Sequence, residues 1–582
     1  AVTAFLLALA IAGGAQLAPP SGLKSGLQSG SGRMVAFLAR VARSADPDGV
    51  CRNLDMWVPY THNIDEIIRS IAPREFIRSN WTGYHSDPDG LLSRYWRSII
   101  LGADSIWWWM WSAIDPWRGF QAPDFEPYPA TREMLDETRI LRDGLGDLLI
   151  NSEMQDDGIA MLYSQPSSFA ATVERGPGYG DYEAVNAAWY TIINDIPLMY
   201  RYVTDGMIDR GEFEADKYRV LILPFALALS EKTESAIRAF VKNGGTVIAD
   251  IRPGIYDGRC KPLKKGRLDD LFGIEGPVNT AAIKADISVD GKLGKHDIKL
   301  DWPDVPVDPA LKTTSGQALG KAGEAPVFIV NSYGKGRAIL LNLATSAFGG
   351  RVTGTGLTGL DSAEELDPKL WAAFDPIFEA AGVQPAIRLI GSRRWKVPFV
   401  GNARLQRWRN GDMEIFGVYR ATGEGVRTIA RLPGERQAFV YNLTAGLTLG
   451  DPYVSTYVKP YKGEKWFYFS LVPSRASFFA ILPGPAPAIA VKLEEPRIRR
   501  GERIRLDISL PDAGKSIHAL KLRGIGPDAV EGWSQVVLAG AKPVTVEIPV
   551  AFNDPPGTYR ITVTDVITRD TEVEIYAEAL RR

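Results

Sequence analysis

Between Arg219 and Pro224 the chain reads Val-Leu-Ile-Leu, four apolar residues in a row with no polar alternation. A strand solvated on one face alternates in polarity, whereas one that is apolar throughout must be covered on both faces, as in a parallel sheet layered between helices. The flanking sequence agrees. Residues 230–244 (SEKTESAIRAFVKNG) predict an amphipathic helix with Ser230 as N-cap, Ala236, Ile237, Phe240 and Val241 on one face, and Gly244 as its stop. Residues 245–254 (GTVIADIRPG) predict a further strand, and 158–165, 186–196 and 197–208 read as strand, helix, and strand with turn. Alternation of this kind predicts a Rossmann- or flavodoxin-like, doubly wound α/β domain. After a β-rich insertion it returns in APVFIVNSYGKGRAILLNL (325–343), two strands joined by a glycine-containing turn, and closes on the helix LWAAFDPIFEAAGV (370–383).

A chain of 582 residues is too long for one core, so several domains are expected. Residues 50–150 also alternate strand and helix. RNLDMWVPY (52–60), REFIRSNW (74–81) and DSIWWWMWSAI (104–114) are strand-like, and ATREMLDETRILRDGLGDLL (130–149) reads as one long closing helix. Three such units fit the end of a (β/α)8 barrel, yet eight need roughly 250 residues. The barrel is therefore expected to be partial. After 383 the pattern changes to short strands with turn signals, the mark of β-sandwiches, and GPAPA (484–488) is a linker between two of them. The expected division is 1–33, an apolar segment and Ser/Gly-rich linker; 34–157, the partial barrel; 158–382, the α/β domain; 383–484, a β-sandwich; and 485–582, an Ig-like β-sandwich. The apolar run 1–19 reads either as a signal-peptide core, which places the protein outside the cytoplasm, or as a barrel helix of a cytoplasmic protein.

Lys and Arg number 67 against 69 Asp and Glu, so no global charge favours nucleic acid or an anionic membrane, and neither is an expected partner. Cys51 and Cys260 form no CxxC motif and read as inert thiols; the four histidines have no ligand spacing. No metal or cofactor is expected. Of 15 tryptophans, Trp107, Trp108, Trp109, Trp111 and Trp117 fall within eleven residues. Indoles stack on the C–H faces of sugar rings, so this cluster points to a carbohydrate.

The run Tyr218–Asp250, with NSYGKGRAILLN (331–342) and the closing helix, resembles the trimerisation domain of the family-42 β-galactosidases, which has a class I glutamine-amidotransferase-like fold. SRYWRSIILGADSIWWWMWSAID (93–115), followed by a helix at 131–145, resembles the last barrel strand of the same enzymes. The resemblance implies a glycoside hydrolase acting on galactosides or related oligosaccharides, assembled as a homotrimer whose α/β domain helps to wall a neighbour's sugar site. Amidotransfer itself is not expected: RVLILP ends in Pro224-Phe225 with no cysteine on the turn and no histidine between His85 and His296.

Retaining glycosidases need two carboxyl groups about 5–5.5 Å apart. In the family the acid/base follows strand four and the nucleophile strand seven. No segment here matches strand four, so no acid/base is assigned. On the next-to-last strand Glu75 is the only carboxylate and the candidate nucleophile, although it lies at the strand's start; a salt bridge to Arg74 or Arg78 is its other reading. Ser79 or Asn80 stands where the family carries glutamate. Asp55, Asn80, Trp81, Trp111, Asp115 and Trp117 are candidate sugar contacts, with turn roles or core packing as the alternative. A non-catalytic carbohydrate-binding or assembly protein descended from such an enzyme is the competing functional reading.

Overall fold

The computed structural model describes residues 35–37, 46–59, 64–83, 86–174, 178–180, 182–278, 280–349, 367–391, 400–401, 403–421, 423, 425–432, 438–444, 459–461, 464–569 and 572–580. The apolar run 1–19, the Ser/Gly-rich segment, His62 and His85 lie outside them. The chain is multidomain, α/β in its first part and β in its second.

The first sheet has four parallel strands in sequential order: Val35–Phe37, Met56–Val58, Ile77–Gly83 and Ser105–Trp109. Helices Pro47–Asn53, Ile64–Ile71 and Pro88–Ile100 connect them. That is one strand more than the three units expected. RNLDMWVPY is also only partly strand: Pro47 opens a helix that runs through Arg52 and Asn53, and extended backbone begins at Leu54. The long helix expected at 130–149 is broken as well. It divides into Pro129–Glu137, a π-type turn Leu141–Leu145 and Gly146–Ile150. Gly144 at the break has φ +131°, and a Cβ there would meet the Ala519 Cβ at 3.1 Å.

The second sheet carries nine strands. Tyr200–Thr204, Ile159–Tyr163, Val220–Leu223, Thr246–Ala249 and Gly336–Leu340 run parallel in that spatial order. Four antiparallel strands, Ala325–Tyr333, Gln317–Ala322, Ile283–Leu293 and His296–Val307, extend it. The β-rich insertion thus continues the central sheet. Alternate residues serve opposite cores: Ile159, Met161, Ile222 and Ile248 on one face, Ala160, Leu162, Leu221 and Val247 on the other. The Ser230 Oγ accepts from the Thr233 amide at 3.0 Å, so the expected cap is present, and Ile237, Phe240 and Val241 are buried. After Leu223 the turn holds Phe225 fully buried at φ +45°, its amide donating to Asp250 at 3.0 Å.

The β part contains two pairs of sheets. One pair joins 388–391, 426–432, 464–471 and 459–461 to 439–442, 475–482, 413–420, 403–410 and 153–154 around Phe416, Phe467, Phe469 and Phe479. The other joins 490–493, 503–509 and 544–549 to 497–499, 572–580, 557–565, 518–525 and 531–539 around Leu506, Leu520 and Val563.

The first sheet's helices are absorbed by these neighbours. Ile64, Ile67 and Ile68 share a core with the α/β domain, while Trp96 and Ile100 pack with Trp408 and Phe478 of the β part.

Candidate functional site

In the first sheet Ser79 pairs with Ser105, Trp81 with Trp107, and Gly83 with Trp109. Parallel partners share a face and strand side chains alternate, so these residues form one row along two strands, with the serine pair toward their N-terminal ends and Trp81, Trp107, Gly83 and Trp109 toward their C-terminal ends. The Ser79 and Ser105 hydroxyls lie 2.6 Å apart, and the Trp107 Nε1 donates to the Ser105 Oγ at 3.2 Å. Trp81 meets Trp107 and Trp109 edge to face, with ring centroids 6.1 and 6.3 Å apart. Gly83 has φ +101°, and a Cβ there would lie 2.6 Å from the Trp109 carbonyl oxygen, so this close approach of strand ends requires glycine. Trp109 remains 40% exposed.

The opposite face of the same strands is structural. The Asn80 Nδ2 donates to the Asp65 Oδ2 at 2.7 Å, and Arg97 reaches the same oxygen at 3.3 Å. Burial pushes the Asp65 carboxyl up to about 6 against the pull of Arg97. Trp108 packs edge-on against Phe120, with centroids 5.0 Å apart.

Beyond Trp109 the chain folds back on itself. The Met110 amide donates to the Arg118 carbonyl at 2.6 Å, the Phe120 amide to Met110 at 2.9 Å, and the Tyr128 hydroxyl to Ala113 at 2.6 Å. Trp111 stacks on Phe120 at 5.3 Å with rings 9° from parallel, yet is 63% exposed; Trp117 is 38% exposed. The Asp115 carboxylate receives the Arg118 guanidinium at 2.8 and 3.0 Å and its amide at 3.1 Å. These hydrogen bonds hold it below the usual carboxylate range.

Of the residues expected from sequence, Trp81 lies within the indole row, and Trp111, Asp115 and Trp117 lie on the adjoining loop. Asn80 faces the helices. Asp55 and Glu75 are at the far end: Asp55 in an exposed bend before Met56, not alternating with Trp57 on a strand, and Glu75 in the exposed turn before Ile77. Arg78 is taken by Asp104 at 2.8 Å, and no ion pair joins Glu75 to Arg74 or Arg78 among the described residues. Trp107 and Trp109, read from sequence only as members of the tryptophan cluster, and Ser79 and Ser105 are not among the candidate sugar contacts named from sequence. Strand alternation through SIWWW was the signal, since it places Trp107 and Trp109 together.

The thiol of Cys51 is buried, and burial pushes it up to about 12, which makes it inert at neutral pH. Cys260 is half-buried, its Sγ donating to the Pro166 carbonyl at 3.2 Å. No group of three metal-binding side chains occurs among the described residues, and no helix among them is long and apolar enough to cross a membrane.

Residues 157–349 match the sequence model of the β-galactosidase trimerisation domain. Over 322 residues the chain is 21% identical to the β-galactosidase BbgII of Bifidobacterium bifidum, covering 50% of this chain and 42% of that protein. The β-galactosidase structure from Bacillus circulans sp. alkalophilus superposes with TM-score 0.54 at 13% identity, covering 75% of this chain and 62% of that one. Gan42B, a GH42 β-galactosidase of G. stearothermophilus, gives TM-score 0.53 at 16% identity, covering 75% and 61%. The chain thus spans less than two thirds of each of these proteins. Over residues 157–349 by sequence, and over three quarters of its length by fold, the chain is similar to the β-galactosidases of glycoside hydrolase family 42.

Proposed function

We propose that this chain is a glycoside hydrolase-like subunit that recognises galactosides on the indole row of its first sheet and assembles as a homotrimer through its α/β domain. The observation that carries the reading is the placement of Trp81, Trp107 and Trp109 on one strand face with the Ser79–Ser105 hydroxyl pair beneath them. Apolar ring faces and a hydroxyl pair suit a pyranose, which presents C–H bonds on its faces and hydroxyls at its edge. In this reading the four parallel strands are the closing strands of a (β/α)8 barrel, the indole row faces its interior near the catalytic end, and two β-sandwiches follow. Trp111 and Trp117 extend the platform on the loop above, with Asp115 shaping that loop through Arg118.

The chemistry of hydrolysis separates two readings. Retention requires a pair of carboxyl groups about 5–5.5 Å apart beside the sugar. Near the indole row Asp115 is bound to Arg118, and Glu75 is at the other end of its strand. That distribution favours, as second reading, a carbohydrate-binding or assembly protein that keeps the platform without the catalytic pair.

The test uses the full chain with galacto-oligosaccharides in calorimetry and nitrophenyl β-galactoside in a turnover assay. The expected result is binding that Trp81→Ala weakens at least tenfold, on the order of 1.5 kcal/mol or more. Turnover abolished in Glu75→Gln would restore Glu75 as nucleophile; unchanged turnover removes it. Binding without turnover selects the second reading, and no binding at millimolar sugar rejects both. A sedimentation result of monomer alone would remove the trimer.

A further inference from the structure

At the end of the first sheet remote from the indoles lies a groove of about 950 Å³, walled by the turn 72–78, the loop 102–106, the segment 141–154, the strand end 408–411 and the loop residues Lys515 and Ile517. Seven basic side chains line it against three carboxylates, those of Glu75, Asp104 and Glu153. Four of the seven are engaged. Arg69 pairs with Glu66, Arg78 with Asp104 and Arg201 with Asp156, and Arg142 donates to the Leu135 carbonyl at 2.6 Å. The other three, Arg74, Arg409 and Lys515, are exposed and have no ion-pair partner among the described residues. They arrive from three parts of the chain: a helix-to-strand turn, the strand Ala403–Asn410, and a loop of the last sheet pair.

Glu75 and Glu153 also have no ion-pair partner among the described residues, Glu153 standing opposite Arg409 across the strand pair, but Arg74, Arg142, Arg409 and Lys515 outnumber them; this excess of like charge in one concavity repels itself, and low-dielectric walls concentrate its field. A bound anion relieves that repulsion, and guanidinium forks match carboxylate and sulfate oxygens in pairs. The groove also has apolar lining from Tyr95, Ile106, Met154 and Ile517, and its volume suits a chain of a few units better than a small inorganic anion. Along strand Ile77–Gly83, Arg78 on the groove and Trp81 on the indole row are three residues apart, roughly 10 Å, and Ser105 stands between the two sites.

We propose that this groove is a second binding site, for an acidic oligosaccharide bearing uronate carboxylates or sulfate esters, held by Arg74, Arg409 and Lys515. The choice of sugar over other polyanions rests on the sugar reading of the indole row; the preference for an anion does not. A protein with both sites would hold a mixed-charge polysaccharide by an acidic stretch while a neutral galactoside stretch occupies the platform.

Calorimetry on the full chain at low salt, with oligogalacturonate, a sulfated galactan oligosaccharide, a neutral galacto-oligosaccharide and hexaglutamate, tests this. At least one of the two acidic sugars is expected to bind, and the one that does identifies the carboxylate or the sulfate as the recognised group. The triple variant Arg74→Gln/Arg409→Gln/Lys515→Gln, all at exposed positions, is expected to weaken that binding at least tenfold and to leave the neutral sugar unaffected. Trp81→Ala should do the reverse, so failure of the platform and failure of the groove are distinguishable. Absence of binding by both acidic sugars, or a triple variant that binds as the parent does, overturns the site. Hexaglutamate bound as tightly as the acidic sugar overturns the assignment to a sugar.

Discussion

At Glu66 one carboxylate, almost wholly buried, is shared by two guanidiniums from distant parts of the chain. Arg69 meets it at 2.8 Å from the next turn of the same helix, and Arg404 reaches it from the strand Ala403–Asn410. Arg69 also donates to the Gln406 side chain at 2.9 Å and lies 5.0 Å over the Tyr200 ring; Arg404 lies 5.0 Å over Tyr190. One residue therefore joins the first sheet, the α/β domain and the β part. Burial alone would raise the Glu66 carboxyl, but Arg69, Arg404 and Arg97 outweigh it and hold it at about 2. The folded value is depressed, so its stabilisation is present above the ordinary glutamate range and lost only as pH falls through about 2. Removing one partner of a buried ionic cluster leaves the others uncompensated. Glu66→Ala is expected to cost about 3–5 kcal/mol in denaturant unfolding at pH 7, and a loss below about 1 kcal/mol would show that water enters and solvates the two arginines.

The elements that sequence announced correctly are those whose own residues decide them. The helix Glu231–Lys242 carries its cap, apolar face and stop within the fifteen residues 230–244, and the strand Val220–Leu223 could be nothing but buried. The errors fall where a distant segment decides. Nothing local in LRDGLGD requires a break, because glycine inside a helix costs only about 1 kcal/mol. The break is fixed by the sheet carrying Ala519 and Val536, which packs within 3.4 Å of where a Gly144 Cβ would stand. The site was half legible for the same reason. The clustering of tryptophans is visible in composition, whereas the register that lines up Ser79 with Ser105 and Trp81 with Trp107 is a property of two strands together. Asn80 turns toward the helices because its partner Asp65 sits on one of them, fifteen positions earlier. Gly144→Ala tests the break directly. It forces a side chain into φ +131° and against Ala519, and a loss of about 1–3 kcal/mol is expected. The measurement is protease cleavage within 138–152, which should accelerate in the variant; an unchanged rate would mean the helix straightens without strain.

Across the whole molecule carboxyls that are wholly or partly withdrawn from solvent give stability a direction in pH. Burial pushes Asp65, Asp157 and Asp250 up to about 6, and Asp205 to about 7. They belong to different regions: Asp65 to a helix of the first sheet, Asp157 to the ion pair with Arg407 at the entry to the β part, and Asp250 and Asp205 to strand ends of the α/β sheet. Each folded value lies above that of the unfolded chain, near 4. Below about 4 the proton is bound in both states and the contribution is intact; as pH rises through 6 and 7 the unfolded chain ionises freely while the folded one resists, and stability falls. The carboxylates held low, such as Glu66 and Asp270, titrate below this window and do not oppose the trend. The apparent melting temperature is therefore expected to decline by several degrees between pH 5 and pH 8. Asp205 is the most displaced of the four, with the Thr233 hydroxyl at 3.3 Å and no cation pairing with it among the described residues. Asp205→Asn should flatten the profile by removing one ionisation, raising stability at pH 8 by on the order of 2–4 kcal/mol while changing it little at pH 4. A variant equally stabilised at both pH values would assign the gain to hydrogen bonding rather than to charge, and a parent profile that rises from pH 5 to pH 8 would mean that these carboxyls are solvated in the folded protein.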